Sequence, residues 1–166
     1  MDSVTTPLKK DTHIEYDAKA LQSALTRFLR VYRYRDREIV CCYDVSAEQC
    51  HAIEQLVASG PATLNEFSAS LYLEKSSASR LIDGLEKKGY VRRDPNPDDG
   101  RSLLLRLTAE GSNLAQRLES DLLAERQLVL ENFDPDEREV VVRAIEKLAD
   151  QAEACCSTEM TGGGVC

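Results

Sequence analysis

The chain has 166 residues, 42% of them hydrophobic and 30% charged, a balance typical of one folded domain with short appendages. No apolar run is long enough to span a membrane and no signal peptide is recognisable, so we expect a cytoplasmic protein without membrane contact. The net charge of −8 is spread unevenly, because residues 107–166 hold 13 acidic and five basic side chains, whereas residues 63–106 hold seven acidic and eight basic ones. The middle of the chain is therefore able to bind a polyanion.

The first predicted element is a long helix over residues 17–41, which follows an arm of residues 1–16 that we expect to be flexible. Apolar side chains recur in this helix at spacings of three and four, which places them on one face. They are Leu21, Leu25, Phe28, Leu29 and Tyr32. The helix is therefore amphipathic over most of its length.

Capping residues mark three shorter helices downstream. Ser46 is the predicted N-cap of the second helix, which ends at Gly60. Thr63 begins the third helix, and Glu66 completes a capping box with it. The fourth helix is predicted over residues 75–88. The predicted buried side chains of the second and fourth helices are Ile53, Leu56, Val57, Leu81, Ile82 and Leu85.

Two extended runs, residues 90–93 and 102–107, flank a turn rich in proline, aspartate and glycine and predict a β-hairpin. Thr108 then begins a fifth helix, and Pro135 lies in the first turn of a sixth. The tail, residues 157–166, contains three consecutive glycines and is expected to be flexible. A winged helix-turn-helix consists of a short helix, a turn, a second helix and a two-stranded hairpin, and the predicted elements follow this order. The predicted fold class is mainly α with a small β wing.

A winged helix-turn-helix reads DNA with the second helix of the motif, because the major groove admits one α-helix. Small hydroxyls at the start of the fourth helix allow close approach to phosphates and bases, and Arg80 adds a long cationic donor. Arg101 lies near the hairpin tip, where a guanidinium can enter the minor groove, and Asp99 is expected to hold that guanidinium in position. The predicted DNA-binding residues are Ser76, Ser77, Ser79, Arg80, Arg92, Arg93, Asp99 and Arg101.

Three short motifs carry a family resemblance. TLNEFSA at residues 63–69 and KSSASRLIDGLEKKGYV at residues 75–91 form the helix-turn-helix, and DGRS at residues 99–102 precedes the second hairpin strand. In combination they resemble the multiple-antibiotic-resistance regulator (MarR) family, and the order of elements is similar to that family over residues 17–155. Tyr72, in the turn of the motif, departs from the family's pattern.

The resemblance implies a homodimeric repressor that binds a palindromic operator in double-stranded DNA and is released by a ligand. In that family the first helix and the last two form the dimer interface. The implied organisation has four parts, which are a flexible arm (1–16), a helical dimerisation region (17–45 and 108–156), a winged helix-turn-helix domain (46–107) and a Cys-containing tail (157–166).

Six cysteines, two adjacent pairs among them, are unusual for a cytoplasmic regulator. In a reducing compartment they remain thiols, and thiolates bind soft metal and metalloid ions. We expect a site for an ion of the arsenite, antimonite, mercury or copper(I) class, formed within one chain or across two subunits. Its candidate ligands are Cys41, Cys42, Cys50, Cys155 and Cys156. Packing as small buried hydrophobic residues is the alternative for the first three.

Three other functions stay open. A peroxide- or electrophile-sensing repressor would use a thiol of lowered pKa, with Cys50 near a helix N-terminus as the candidate. A sensor of small aromatic ligands would use a pocket lined by Tyr32, Tyr34 and Tyr43. An enzyme is not expected, because the sequence has no phosphate-binding glycine loop, nucleophile elbow or His-Glu-x-x-His motif. A thiol-based reductase would be the least remote enzyme class.

Overall fold

The computed structural model describes residues 12–40 and 42–159, with side chains over residues 13–38 and 42–154. It divides into two compact units, and the boundary between them lies between Glu119 and Ser120. Within the described ranges, no helix has the length and apolar character needed to cross a bilayer.

Six helices and three strands follow one another along this part of the chain. The helices are α1 (Thr12–Val40), α2 (Ala47–Ser59), α3 (Leu64–Ser70), α4 (Lys75–Lys87), α5 (Ala109–Leu130) and α6 (Pro135–Glu159). The strands are β1 (Ala62–Thr63), β2 (Val91–Pro95) and β3 (Leu103–Leu107), and they form one antiparallel sheet in the order β1-β3-β2. The predicted class, mainly α with a small β wing, is confirmed.

Side chains that bond to backbone N–H groups begin two of the short helices. At α2, the Ser46 hydroxyl accepts from the Gln49 N–H at 3.2 Å, and the Gln49 side chain accepts from the Ser46 N–H at 3.1 Å. At α3, the Glu66 carboxylate accepts from the Thr63 N–H and from the Thr63 hydroxyl, both at 2.8 Å. The first of these bonds, helped by the second, lowers the pKa of Glu66. The predicted helix starts are confirmed.

The two ends of the described chain differ from the prediction. α1 begins at Thr12, so residues 12–16 are helical instead of belonging to a flexible arm. α6 continues to Glu159, into the predicted tail. Apolar periodicity underestimates such ends because a solvated turn needs no apolar side chain, and at α1 a Lys19–Glu15 pair at 3.2 Å supports the first turns. The rest of the predicted arm and tail lies outside the described residues.

The core of the first unit lies between α2, α3, α4 and the sheet. Its largest fully buried side chains are Ile53, Phe67, Ile82, Leu85, Val91 and Leu105, together with Leu114 and Leu118 of α5. Two burial predictions are wrong, because Val57 is 56% exposed and Leu81 is only half-buried, whereas Ala78 is fully buried. α2 and α4 approach closely, since a Cβ on Gly84 would lie 2.8 Å from the side-chain nitrogen of Gln49. Such proximity favours small residues at the contact.

Candidate nucleic-acid interface

One face of α4 packs on the core and the opposite face is open to solvent. The buried face repeats at helical spacing through Ala78, Ile82 and Leu85. The predicted outward residues Ser76, Ser77 and Arg80 are exposed, and Ser79 is half-buried. The N-cap Glu74 makes no side-chain hydrogen bond to the helix, which leaves the first backbone N–H groups available to an anion.

The tip of the β2–β3 hairpin is held by its own polar side chains. The Asn96 side chain accepts from the Asp98 N–H and the Asp99 carboxylate accepts from the Arg101 N–H, both at 3.0 Å. The Ser102 N–H donates to the Asp99 carbonyl at 2.9 Å. The prediction that Asp99 holds the Arg101 guanidinium is therefore corrected, because this carboxylate binds the backbone and so shapes the turn. Arg101 is exposed, and its guanidinium has no ion-pair partner in the part of the chain that the structure describes.

Arg93 connects the wing to α4 instead of facing outward. Its Nη2 lies 2.6 Å from the Asp83 carboxylate and its Nη1 bonds to the Glu86 carboxylate, while its side chain is only 23% exposed. The cause is strand alternation, since Arg93 shares a face of β2 with the buried Val91. We therefore assign Arg93 a positioning role in place of the predicted DNA contact. In the sequence, Arg93 comes two residues after the hydrophobic Val91, and this spacing in a strand already indicated that the two side chains share a face.

Arg92 points to the other face of the hairpin, where it lies directly opposite Arg106 of β3. Two like charges in this position repel each other. Asp94 offsets the repulsion, because its Oδ2 lies 3.1 Å from Arg92 Nη2 and 3.4 Å from Arg106 Nε. The side chain of Arg92 is nevertheless 61% exposed, so it can still reach a phosphate beside the wing.

A cleft of about 1010 Å³ lies between α1 and α2. Its charged lining comprises Arg30, Arg33, Arg37 and His51 against Asp36 and Glu48. The ring of His51 forms a hydrogen bond with Glu54, with 3.0 Å between His51 Nδ1 and Glu54 Oε2. This bond raises the pKa of His51, while partial burial of the ring acts in the opposite direction. The excess of positive charge suits an anionic ligand.

One of the three tyrosines predicted to line a ligand pocket lies at this cleft. Tyr34 contributes to the cleft. The ring of Tyr32 stacks on that of Phe28 with centroids 4.3 Å apart, and the Tyr43 ring lies under Arg117 with 5.5 Å from its centroid to Arg117 Cζ.

Lys88, directly after α4, links that helix to the start of α2. Its ammonium donates to the Asp44 carbonyl at 2.5 Å and to the Gln49 side chain at 3.0 Å. The side chain of Lys88 is 29% exposed. Lys88 therefore joins the end of α4 to the first turn of α2, the helix that also lines the cleft.

The structure describes two of the candidate thiols. Cys42 is exposed and Cys50 is buried in α2. Among side chains in residues 13–38 and 42–154, no group of three or more His, Cys, Asp or Glu could hold a metal ion. Cys155 and Cys156 lie within α6. Cys41 and Cys166, and the side chains of the α6 pair, lie outside the described residues.

The comparison with known sequences points to one group of proteins. The model of the MarR family matches residues 45–103, which span α2, α3, α4 and most of the hairpin. The HTH-type transcriptional regulator Mb0904 of Mycobacterium bovis is 30% identical over 122 residues, which cover 72% of this chain and 82% of that protein.

Solved structures agree with the sequence comparison. A MarR family protein from Bacillus stearothermophilus superimposes with a TM-score of 0.77 at 26% identity, over 84% of this chain and 97% of its own. FabT of Streptococcus pneumoniae, solved in complex with DNA, has a TM-score of 0.75 at 18% identity, over 83% of this chain and 99% of its own. At that identity the likeness to FabT shows a shared fold.

Proposed function

Because this chain belongs to the MarR family of transcriptional regulators, we propose that it is a cytoplasmic, homodimeric repressor that binds a palindromic operator through α4 and the wing. One observation carries the proposal. Arg80 on α4 and Arg101 on the wing are exposed, and neither guanidinium has an ion-pair partner among the described side chains. Both retain their charge for phosphates or base edges. The complex of the similarly folded FabT with DNA supports this assignment.

The relatives are transcriptional regulators and not enzymes. The hypothesis of a thiol-based reductase is therefore abandoned.

The proposed partner of two exposed apolar faces is a second copy of the chain. The side chains concerned are Leu21, Leu25 and Phe28 of α1 and Val140, Ile145 and Leu148 of α6, each at least 40% exposed. Each face is a row of large aliphatic or aromatic groups, and such rows mark interfaces when they stay in water on one chain. A two-fold dimer would cover both copies of each face equally.

Arg101→Ala is expected to weaken DNA binding about tenfold and to lower the slope of log affinity against log salt by about two, because the homodimer loses one phosphate contact and its released counterion in each subunit. The measurement is an anisotropy titration, from about 50 to 200 mM salt, with a duplex that the wild-type chain selects from a randomised pool. Arg143→Ala is the matched control, since Arg143 is an exposed arginine of α6 paired with Glu139. A wild-type chain that selects no duplex would contradict the proposed function. An unchanged slope would remove Arg101 from the interface.

The proposed signal is a soft metal or metalloid ion bound by thiolates, which releases the operator. The two adjacent cysteine pairs of the sequence support it, together with the exposure of Cys42 just after α1. The burial of Cys50 favours a packing role for that thiol in α2. Burial also makes Cys50 a poor peroxide sensor, so a redox alternative would fall to Cys42.

The second candidate signal is an aromatic acid in the α1–α2 cleft. The lining of the cleft supports this candidate, because its arginines can bind the carboxylate of the ligand while the ring of Tyr34 offers an apolar surface to the aromatic ring of the ligand. The link through Lys88 gives such a ligand a route from α2 to α4.

Arsenite, under full reduction, is expected to release the wild-type chain from the selected duplex and to leave a Cys41→Ser/Cys42→Ser variant bound. The same titration is run with benzoate and with peroxide, and Arg33→Ala serves as the cleft variant. Release by benzoate that Arg33→Ala abolishes would favour the cleft. Release by peroxide alone would favour thiol oxidation. If the cysteine variant responds to arsenite like the wild type, the soft-ion proposal is contradicted.

A further inference from the structure

We infer that Tyr72, in the turn between α3 and α4, contacts the sugar–phosphate backbone of bound DNA as a neutral hydrogen-bond donor. The inference deepens the proposed function and rests on it. Tyr72 has a backbone conformation that a tyrosine rarely adopts.

The end of α3 is a Schellman motif. The Leu73 N–H donates to the Ser68 carbonyl at 2.8 Å, and the Tyr72 N–H donates to the Ala69 carbonyl at 3.1 Å. Tyr72 follows the C-cap Leu71 and has a φ of 52°. The motif requires the left-handed conformation at this position, and glycine is favoured there because a Cβ crowds the neighbouring carbonyl.

The chain places glycine at its other left-handed positions. Gly60 has a φ of 72° and Gly89 a φ of 78°, and Tyr72 is the single non-glycine residue with positive φ in the part of the chain described. Tyrosine at position 72 therefore carries a conformational cost that glycine would not.

Nothing within the fold offsets that cost. The side chain of Tyr72 is 64% exposed, so burial of its ring contributes little to stability. Its hydroxyl has no hydrogen-bond partner among residues 13–38 and 42–154. A residue that strains the backbone and contributes little to packing points to a role outside the chain.

The place of Tyr72 indicates what it contacts. It lies two residues before Glu74, the N-cap of α4. The N-terminal turn of a recognition helix enters the major groove, so the residues in front of it pass the edge of that groove, where the phosphates lie. A phenol can donate its O–H to a phosphate oxygen while its ring packs on the adjacent sugar. Because the phenol is uncharged, it displaces no counterion.

Three variants at this position separate the contact from the strain. Tyr72→Gly and Tyr72→Ala are both expected to lose about tenfold in affinity, for the selected duplex and for a random duplex alike. Tyr72→Phe, which keeps the ring, is expected to lose less. The salt slope stays that of the wild type, in contrast to Arg101→Ala. The melting temperature of Tyr72→Gly is expected to equal or exceed that of the wild type, and that of Tyr72→Ala to lie below that of Tyr72→Gly.

The outcomes distinguish this inference from the proposed function. If the wild-type chain binds the selected duplex and Tyr72→Gly binds it equally well, the contact is refuted while the proposed function stands. A melting temperature of Tyr72→Gly below that of the wild type would also overturn the inference, because the ring would then support the fold. If the wild-type chain selects no duplex at all, both fail together.

Discussion

Gly111→Ala is expected to destabilise the folded chain by about 3 kcal/mol, although alanine favours a helix interior over glycine by about 1 kcal/mol. An alanine Cβ at this position of α5 would lie 2.0 Å from the carbonyl oxygen of Tyr90 and 2.9 Å from its carbonyl carbon. Tyr90 cannot yield, because its carbonyl accepts from the Thr108 N–H and its own N–H donates to the Leu85 carbonyl, both at 3.0 Å. Relief requires separating the start of α5 from the start of β2.

Urea unfolding followed by circular dichroism measures this effect. Gly100→Ala is the matched control, because a Cβ on Gly100 meets no atom within 4 Å. That variant should unfold within about 0.5 kcal/mol of the wild type. Equal unfolding midpoints for the two variants would show that α5 and β2 do not approach as closely as the structure has them.

Arg93→Met is expected to lower the free energy of unfolding by about 1–2 kcal/mol. This loss lies between the small contribution of an exposed ion pair and the larger cost of breaking a buried one. The partners of Arg93, Asp83 and Glu86, have side chains that are 50% and 40% exposed. Without the guanidinium, two carboxylates three residues apart on α4 repel each other and β2 loses its attachment to that helix. DNA affinity is expected to fall about tenfold. Without Arg93 the wing is no longer held against α4, so binding must pay the conformational entropy of fixing the two relative to each other.

The neighbouring arginine provides the control for this second prediction. Arg92→Met should leave stability within about 0.5 kcal/mol of the wild type and reduce the salt slope of DNA binding, since Arg92 faces solvent. Arg93→Met should do the reverse, with a loss of stability and an unchanged slope. In an Asp83→Asn/Glu86→Gln background, Arg93→Met should cost less than in the wild type. Identical behaviour of the two arginine variants would contradict the separate roles assigned to them.

Much of the local structure could be predicted from the sequence. The capping pairs Ser46–Gln49 and Thr63–Glu66 are three residues apart, and the hairpin joins strands separated by a turn of a few residues. Such features depend on interactions between residues that are close in the chain. A list of residue types in order is therefore sufficient to predict them.

The assignment of roles at the candidate interface could be predicted only in part. Exposure of Ser76, Ser77 and Arg80 follows from the helical period, and these residues face solvent as expected. The division between Arg92 and Arg93 follows from strand alternation, but the partners of Arg93 depend on where α4 lies. The bond from Asp99 to the Arg101 N–H depends on the backbone path of one turn, which composition alone does not define.

The sequence by itself determined the order of the six helices and the hairpin, the caps of α2 and α3, and the family. Tertiary structure alone decided that β1 pairs with β3 some 40 residues away, that Ala78 and not Leu81 is fully buried, and that Gly111 must lack a side chain. The physical reason is the distance over which each interaction acts along the chain. Capping, turn chemistry and periodicity act over about four residues, whereas burial, ion pairing and steric contact depend on distances between segments that the chain brings together only when it folds.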